Sequence, residues 1–503
     1  MSGDRLLVFT PLRVEEACLP RSMRRRARVI RTGMGRDRAR IAAARGLAVD
    51  DALGVAVAGL CAATSPDVRT GEVLLGSELR RPGAEPVAAA GSRVLAAALR
   101  RRGLRPRTAT IASVDAVAGP SERRFLAAQG VHGVDMESAW LADAADGRPL
   151  VVLRVAVEEA GQELVDPRTA VAGARALREL RRAAPVLEEW RAALRHRRIL
   201  LAAPRSFCAG VDRAIEIVEL ALAQRGAPVY VRKQIVHNEH VVADLERRGA
   251  VFVDELDEIP RGATTVFSAH GVSPAVRSEA LARRLDVIDA TCPLVSKVHA
   301  EARRFAEGGN TVLLIGHDGH EEIEGTRGEA PEATVLVQDV RDAERVQVPD
   351  PARVTYLTQT TLAVDETDEI VDTLRQRFPA LRGPGSDDIC YATTNRQAAV
   401  REVARRSDVV IVVGSRTSSN SLRLVEVAER EHTPAYLVDD ETDVDLSWLA
   451  RAATVGVSAG ASAPESVVSG LIDAVAALGG ADVEEQTTTT ESLRFRLPKE
   501  VRT

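Results

Sequence analysis

Short apolar runs alternate with amphipathic stretches along the second half of the chain. Seven runs have the length and β-branched composition of strands: Ile199–Ala203, Val229–Val231, Thr265–Ser268, Thr311–Ile315, Val354–Thr358, Val409–Val413 and Thr454–Val457. The stretches between them are rich in Ala, Leu, Glu and Arg, a pattern typical of helices. This alternation predicts an α/β fold with parallel sheets covered by helices.

The amino-terminal part shows a similar alternation with more Ala-rich helical patterns. Its strand candidates are Arg5–Phe9, Gly54–Ala58, Gly71–Leu75, Thr108–Ser113 and Leu150–Val157. The Arg-rich, amphipathic stretch Ala174–Arg198 predicts a helix that ends the first domain and leads into the next. We therefore expect a first domain over residues 1–190, a second over 198–478 and a polar tail over 479–503.

Composition supports a globular chain with more than one core. The 503 residues exceed the roughly 250–300 residues that a single core supports, and they are 45% hydrophobic and 28% charged. A net charge of −5 argues against nucleic-acid or membrane-surface partners, which require a basic face. The first apolar run, Leu6–Phe9, is shorter than the core of about 7–15 residues of a secretory signal. No stretch approaches the ~20 apolar residues of a membrane span, so we expect a cytoplasmic protein.

Five cysteines, an odd and sparse set, do not form a disulfide framework. Cys18 and Cys61 have ordinary apolar neighbours and are expected to be buried core residues. Cys208, Cys292 and Cys390 lie among small and polar residues at nearly even spacing. They divide the second domain into three similar modules, at about 198–292, 293–387 and 388–478. Three converging thiolates suit zinc or an iron–sulfur cluster.

Polar residues cluster where these βα units turn from strand into loop, which is where ligands bind in doubly wound folds. The run Ser418 to Ser421 follows a strand and suits either phosphate binding or plain helix capping. His237, His270 and His320 each lie beside Gly, Asn or acidic residues at a strand end. Glu322 is either a solvated acid in an acidic run or a proton donor.

The segment from about Ile199 to Leu478 closely resembles the 4-hydroxy-3-methylbut-2-enyl diphosphate reductases. The matching motifs include Phe-Cys-Ala-Gly-Val, Val-His-Asn, Ser-Ala-His-Gly-Val, Asp-Ala-Thr-Cys-Pro, Gly-His-x-Gly-His-x-Glu, Thr-Gln-Thr-Thr-Leu, Asp-Ile-Cys-Tyr-Ala-Thr-Thr-Asn and Ser-Ser-Asn-Ser-x-Arg-Leu. The family fold is three α/β modules in a trefoil around a 4Fe–4S cluster with one open iron site.

The resemblance implies specific roles. The cluster ligands would be Cys208, Cys292 and Cys390. The diphosphate would contact His237, His270, His320, Ser418, Ser419, Asn420 and Ser462. Thr360 would hydrogen-bond the substrate hydroxyl at the open iron, and Glu322, but not Glu321, would relay the proton that releases this hydroxyl as water. Electrons from a ferredoxin or flavodoxin-type donor would then give isopentenyl and dimethylallyl diphosphate, the last step of the non-mevalonate pathway.

The amino-terminal domain resembles the nucleoside phosphorylases and nucleosidases. The resemblance rests on Thr32-Gly-Met-Gly35, Arg69-Thr-Gly-Glu-Val and, above all, Val134-Asp-Met-Glu137-Ser-Ala. It implies that Met136 and Glu137 line the ribose of a nucleoside. The sequence from Arg154 to Glu159 differs from the Arg-x-x-Ser-Asp-like motif that carries the catalytic acid in this family. The domain is therefore expected to bind a nucleoside or to act as a scaffold.

Two other functions remain open for the second domain. An iron–sulfur hydro-lyase also uses three cysteines and an open iron, but it needs no reductant. A redox-sensing protein would bind the cluster and a ligand without turnover. A zinc enzyme is disfavoured because zinc offers no redox route.

Overall fold

The computed structural model describes residues 5–49, 52–161 and 169–502. The chain divides into two compact units. The first comprises Met1–Ile199, Asp440–Val455 and Ser469–Glu484, and the second comprises Leu200–Asp439, Gly456–Val468 and Glu485–Thr503. Two segments that the sequence analysis assigned to the second domain, near its carboxyl end, therefore belong to the first unit. No helix among the described residues is long and apolar enough to cross a membrane.

The first unit is built on a mixed sheet of eight strands. The strands are β1 (Arg5–Thr10), β2 (Ala27–Arg31), β3 (Ala52–Ala63), β4 (Val73–Arg80), β5 (Val87–Ala88), β6 (Pro106–Ser113), β7 (Gly133–Asp135) and β8 (Leu150–Glu158). Their order is β2-β1-β3-β7-β6-β4-β5, and β8 pairs with both β3 and β4. Strands β3, β7, β6, β4 and β8 therefore form a closed ring around apolar side chains such as Val57, Leu74 and Val152.

The helices of this part are α1 (Arg13–Glu16), α2 (Arg21–Arg26), α3 (Arg36–Leu47), α4 (Leu95–Arg101), α5 (Pro120–Ala128), α6 (Ser138–Leu141), α7 (Thr169–Ala183) and α8 (Val186–Ala193). The single helix predicted over Ala174–Arg198 is wrong in extent. Two helices replace it, with Pro185 at the start of the second. Proline has no backbone N–H and clashes with the preceding turn, so it cannot continue α7 but can begin α8.

From Arg197 onward the chain forms three sheets. The strands are β9 (Arg197–Ala203), β10 (Val229–Arg232), β11 (Ala250–Val253), β12 (Thr264–Phe267), β13 (Asp286–Asp289), β14 (Thr311–Ile315), β15 (Thr334–Val337), β16 (Val354–Thr358), β17 (Val409–Val413), β18 (Ala435–Val438), β19 (Thr454–Ala459) and β20 (Ala481–Thr487). The sheet orders are β11-β10-β12-β13, β15-β14-β16 and β18-β17-β19-β9-β20. The first two sheets are parallel throughout, as predicted.

The helices that alternate with these strands are α9 (Ala209–Arg225), α10 (Glu239–Arg247), α11 (Pro274–Ala282), α12 (Pro293–Glu307), α13 (Glu321–Glu329), α14 (Val340–Arg345), α15 (Val364–Arg377), α16 (Tyr391–Ala404), α17 (Ser419–Arg430), α18 (Leu446–Leu449) and α19 (Glu465–Ala476). The alternation of helices and strands through three sheets confirms the predicted α/β fold. Each of the long helices α9, α12 and α16 begins directly after one of the three evenly spaced cysteines.

Two strands lie where the sequence analysis did not place them. Strand β9 was assigned to the first module, but it pairs within the third sheet, between β19 and β20. Strand β20 comes from the predicted polar tail, and Val501, further along that tail, is buried against residues of α9 and its neighbours. An apolar run reveals a strand but not its pairing partner, which depends on the tertiary fold.

The composition of the first unit predicts how a shortened chain should behave. Within this unit, α18 packs against α8, and Leu446 and Leu449 are fully buried. A fragment that begins at Arg195 lacks α8, and each leucine it exposes costs about 1.5–3 kcal/mol. We expect this fragment to fold and to keep the cysteine modules, but to unfold at a lower temperature than the full chain.

Calorimetric unfolding of both proteins, with the iron content of each, checks this expectation. Equal unfolding temperatures would contradict it.

Candidate active site: three cysteines and three histidines around one cavity

The three evenly spaced cysteines occupy equivalent positions in the three modules. Cys208, Cys292 and Cys390 are the residues that immediately precede α9, α12 and α16. The backbone N–H of each donates to a carbonyl of another loop: Cys208 to Ala461 (3.4 Å), Cys292 to Ala269 (3.0 Å) and Cys390 to Thr360 (3.1 Å). These bonds fix the three thiols around one cavity, and the amino-terminal ends of the helices favour their ionised form.

The protein alone does not keep these thiols ionised. Burial raises the pKa of Cys292 to about 12 and that of Cys390 to about 11, and the neighbouring thiols add to both shifts. Burial also raises the pKa of Cys208. Three thiolates at this place therefore require a positively charged group between them.

The three predicted histidines form a compact cluster beside the cysteines. The rings of His237 and His270 are stacked, with centroids 4.2 Å apart, and His320 meets both edge-on at 5.8 and 5.9 Å. Burial and repulsion from His270 lower the pKa of His237 to about 3 and that of His320 to about 4. His237 and His320 are therefore neutral at pH 7 before any ligand binds.

Glu322 and Thr360 form a buried pair at the same cavity. The Oε1 atom of Glu322 accepts from the backbone N–H of Thr360 at 2.7 Å, and Oε2 accepts from its hydroxyl at 3.0 Å. Burial raises the pKa of Glu322 to about 7. A carboxyl with that pKa can hold a proton at neutral pH and release it, as a general acid must.

Hydroxyl and amide groups also line the cavity. Ser418 caps α17, because its side chain accepts a hydrogen bond from the N–H of Ser421. Ser418, Ser419 and Asn420 also line the cavity, so helix capping does not exclude a role in binding. Asn420 Oδ1 accepts from Ala461 N at 2.9 Å, and Ser462 Oγ donates to the carbonyl of His237 at 3.0 Å. Helix amino-terminal ends of this kind bind phosphate.

All twelve predicted residues of the second domain therefore line one cavity of about 100 Å³: Cys208, Cys292, Cys390, His237, His270, His320, Glu322, Thr360, Ser418, Ser419, Asn420 and Ser462. Among the described residues that line it there is no arginine or lysine. An anion bound there must be held by imidazoles, hydroxyls, amides and backbone N–H groups.

One residue next to this cavity was misjudged from the sequence. Glu321 was assigned no role in the site from the sequence, but its Oε2 atom lies 3.2 Å from His270 Nδ1 and 3.3 Å from Ser268 Oγ. Gln234, which contacts His237 Nδ1 at 3.2 Å, was not singled out either. Glu321 lies inside the Gly-His-x-Gly-His-x-Glu motif and Gln234 lies two residues before the Val-His-Asn motif, but their sequence positions alone do not show where their side chains point.

Met136 and Glu137 line a separate cavity of about 200 Å³ within the first unit. The Oε1 atom of Glu137 accepts from Gly35 N at 2.9 Å, and its Oε2 lies 3.7 Å from the guanidinium of Arg154. Burial and the nearby Asp135 raise the pKa of Glu137 to about 7. Glu158, also at this cavity, is paired with the buried Arg123.

Comparison with known proteins gives matches for both parts of the chain. Residues 199–476 match the model of the LytB protein family. The 4-hydroxy-3-methylbut-2-enyl diphosphate reductase of Leifsonia xyli is 60% identical over 307 residues, which cover 61% of this chain and 91% of that protein. The structure of the Plasmodium falciparum E-1-hydroxy-2-methyl-but-2-enyl-4-diphosphate reductase matches 61% of this chain and 97% of its own, with 36% identity and a TM-score of 0.59. Futalosine hydrolase of Helicobacter pylori covers 37% of this chain and 96% of its own at 14% identity and a TM-score of 0.32, from which we infer nothing about activity.

The close approach of Gly210 to the cysteines generates a prediction. A Cβ atom at Gly210 would lie 2.9 Å from Cys292 Sγ and 3.8 Å from Cys208 Sγ. Contacts under about 3 Å force atoms to move, and the thiols are fixed by their helix ends. We expect Gly210→Ala to bind much less iron than the unchanged chain, as measured by metal analysis under anaerobic conditions.

Gly173→Ala is the matched control, because Gly173 also lies in a helix and a Cβ there meets nothing within 4 Å. Normal iron content in Gly210→Ala would show that this contact does not constrain the cysteines.

Proposed function

The chain belongs to the LytB protein family, and from this membership and the geometry of its cavity we propose that it is a 4-hydroxy-3-methylbut-2-enyl diphosphate reductase. The reaction removes the hydroxyl group of the substrate and gives isopentenyl and dimethylallyl diphosphate. The observation that carries the proposal is the convergence of three cysteines, three histidines and the Glu322–Thr360 pair on one cavity. The enzyme is thus an oxidoreductase of isoprenoid biosynthesis.

Proteins of this family are iron–sulfur enzymes. We propose that Cys208, Cys292 and Cys390 hold a 4Fe–4S cluster in which one iron has no protein ligand. The supporting observation is that these buried thiols need a positive group to become thiolates. When bound, such a cluster supplies electrons and a Lewis acid for the substrate hydroxyl oxygen.

The residues of the chain account for binding of the diphosphate end. His237, His270 and His320 would contact it from one side. The hydroxyl and amide groups of Ser418, Ser419, Asn420 and Ser462 would contact it from the other side, where α17 begins. Because arginine and lysine are missing from the described lining, a diphosphate here gains its counter-charge from histidine protons and helix ends.

Glu322 and Thr360 would transfer a proton at the hydroxyl end of the substrate. Reductive loss of a hydroxyl as water consumes two electrons and two protons. With a pKa of about 7, Glu322 can hold one of these protons and pass it through the Thr360 hydroxyl, 3.0 Å away, to the leaving oxygen. An external ferredoxin or flavodoxin-type donor would supply the electrons.

Turnover tests the proposal against its alternatives. The anaerobic, iron-loaded chain should form isopentenyl and dimethylallyl diphosphate from the substrate with a chemical reductant and should form nothing without one. Water loss or addition without reductant would indicate a hydro-lyase. Binding of the diphosphate without turnover under reducing conditions would indicate a sensor.

Substitution of Glu322 tests the proton step. Glu322→Gln nearly preserves shape and hydrogen bonding but cannot deliver a proton, and general acids contribute about 10²–10⁴-fold to rate. We expect turnover to fall by that factor while iron content and diphosphate affinity stay close to those of the unchanged chain.

Glu324→Gln is the control, because Glu324 lies on the same helix and is exposed. Glu321, despite its neighbouring position, is unsuitable because it contacts His270. Near-normal turnover by Glu322→Gln would remove Glu322 from the proposed role.

We propose further that the first unit binds a nucleoside without cleaving it. The supporting observation is that Met136 and Glu137 line one cavity, while Glu158 is paired with Arg123 and is not available as a proton donor.

Adenosine should bind in calorimetry and remain intact. Glu137→Gln should weaken binding by about 10-fold, the effect of one hydrogen bond to a charged group. No binding would favour a scaffold role, and release of free base would contradict the proposal.

A further inference from the structure

Glu321 holds a carboxylate against the histidine cluster. It is the first residue of α13, and its Oε2 atom lies 3.2 Å from His270 Nδ1 and 3.3 Å from Ser268 Oγ. Burial alone would raise the pKa of Glu321, but the hydrogen bond and charge of His270, followed by the charge of His237 and the hydrogen bond of Ser268, lower it below its ordinary value. Glu321 is therefore ionised, and it can only accept hydrogen bonds.

The hydrogen-bond partners assign the ring hydrogens. His270 must carry a hydrogen on Nδ1, because that atom faces a carboxylate. His237 likewise carries one on Nδ1, which faces Gln234 Oε1 at 3.2 Å. His320 is the opposite case, because its Nδ1 accepts from the N–H of Glu322 at 3.1 Å, so its hydrogen lies on Nε2. In the neutral state only His320 can therefore donate from Nε2 to an anion.

A second donor requires that one more imidazole gain a proton on Nε2. The rings of His237 and His270 are stacked with centroids 4.2 Å apart. Because two positive charges at this distance repel each other, it is unfavourable for both imidazoles to be protonated at once. The ionisable groups that face His270 are His237, His320, Glu321 and Glu322. Of these, Glu321 is the ionised acid in hydrogen-bond contact with the His270 ring, and its oxygen also lies within 4.8 Å of a ring nitrogen of His237.

We propose that Glu321 is a positioning residue that orients His270 and makes it the histidine that takes up a proton when a diphosphate group binds. This inference rests on the proposed function, because it takes the cavity to be a diphosphate site. The proton comes from solvent and adds to Nε2 of His270, and no covalent bond breaks. The resulting imidazolium donates from Nδ1 to Glu321 and from Nε2 to a diphosphate oxygen. Since the complex holds more protons than the free chain, diphosphate binding weakens as the pH rises.

Calorimetry with inorganic diphosphate and the iron-loaded chain measures this proton directly. Titrations at pH 7 in two buffers with different ionisation enthalpies give the number of protons taken up on binding. We expect net uptake by the unchanged chain. Glu321→Gln should take up fewer protons and bind diphosphate roughly 10- to 100-fold more weakly, the effect of losing a hydrogen bond to a charged group. Iron content should stay the same, and Glu324→Gln, an exposed position on the same helix, should behave like the unchanged chain.

His270→Asn provides an independent test, and it keeps the inference falsifiable if Glu321→Gln does not fold. It should show the same low uptake, and adding Glu321→Gln to it should change diphosphate affinity little further. Normal proton uptake in either single variant, with diphosphate still bound, would overturn this inference alone. Failure of the unchanged chain to bind diphosphate would overturn the proposed function and this inference with it.

Discussion

The fold of the second unit depends on one electrostatic constraint: three cysteine thiols share a buried cavity whose described lining has no arginine or lysine. Without a positive group, burial and mutual repulsion keep Cys292 and Cys390 protonated. Two features make thiolates attainable there once a positive group binds: a helix amino-terminal end behind each sulfur and a backbone hydrogen bond that fixes each cysteine. Each module supplies one cysteine, so the site requires all three.

The lack of arginine and lysine in the described lining also determines how the rest of the cavity can bind an anion. His237 and His320 are held neutral by burial and by their neighbours, and Glu322 is held near neutrality by burial. Such groups gain or lose protons when a charged ligand arrives, whereas arginine would not. The site is thus suited to a reaction in which an anion binds, a hydroxyl leaves as water and protons must be delivered without bulk water.

The sequence predicted the α/β fold and which residues line the cavity better than it predicted strand pairing and side-chain direction. Strands β14, β16 and β17 have the predicted bounds, because long β-branched runs bounded by polar residues are unambiguous. The short strand β13, with the sequence Asp-Val-Ile-Asp, carries too few apolar residues to be recognised, whereas the apolar strand β11 was missed although its composition suits a strand. The position of β9 in the third sheet depends on tertiary packing. The break between α7 and α8 depends on a single residue, Pro185. Glu321 was misjudged because neighbouring residues at a helix start point in different directions, and the pattern alone does not say which one meets His270.

Electron paramagnetic resonance of the anaerobically purified chain, with iron and zinc analysis of the same sample, tests the central claim most directly. The account predicts about four irons per chain for a 4Fe–4S cluster, a cluster spectrum on reduction, and a change in that spectrum when the substrate is added. Stoichiometric zinc with no cluster signal, or a cluster spectrum that the substrate leaves unchanged, would contradict it.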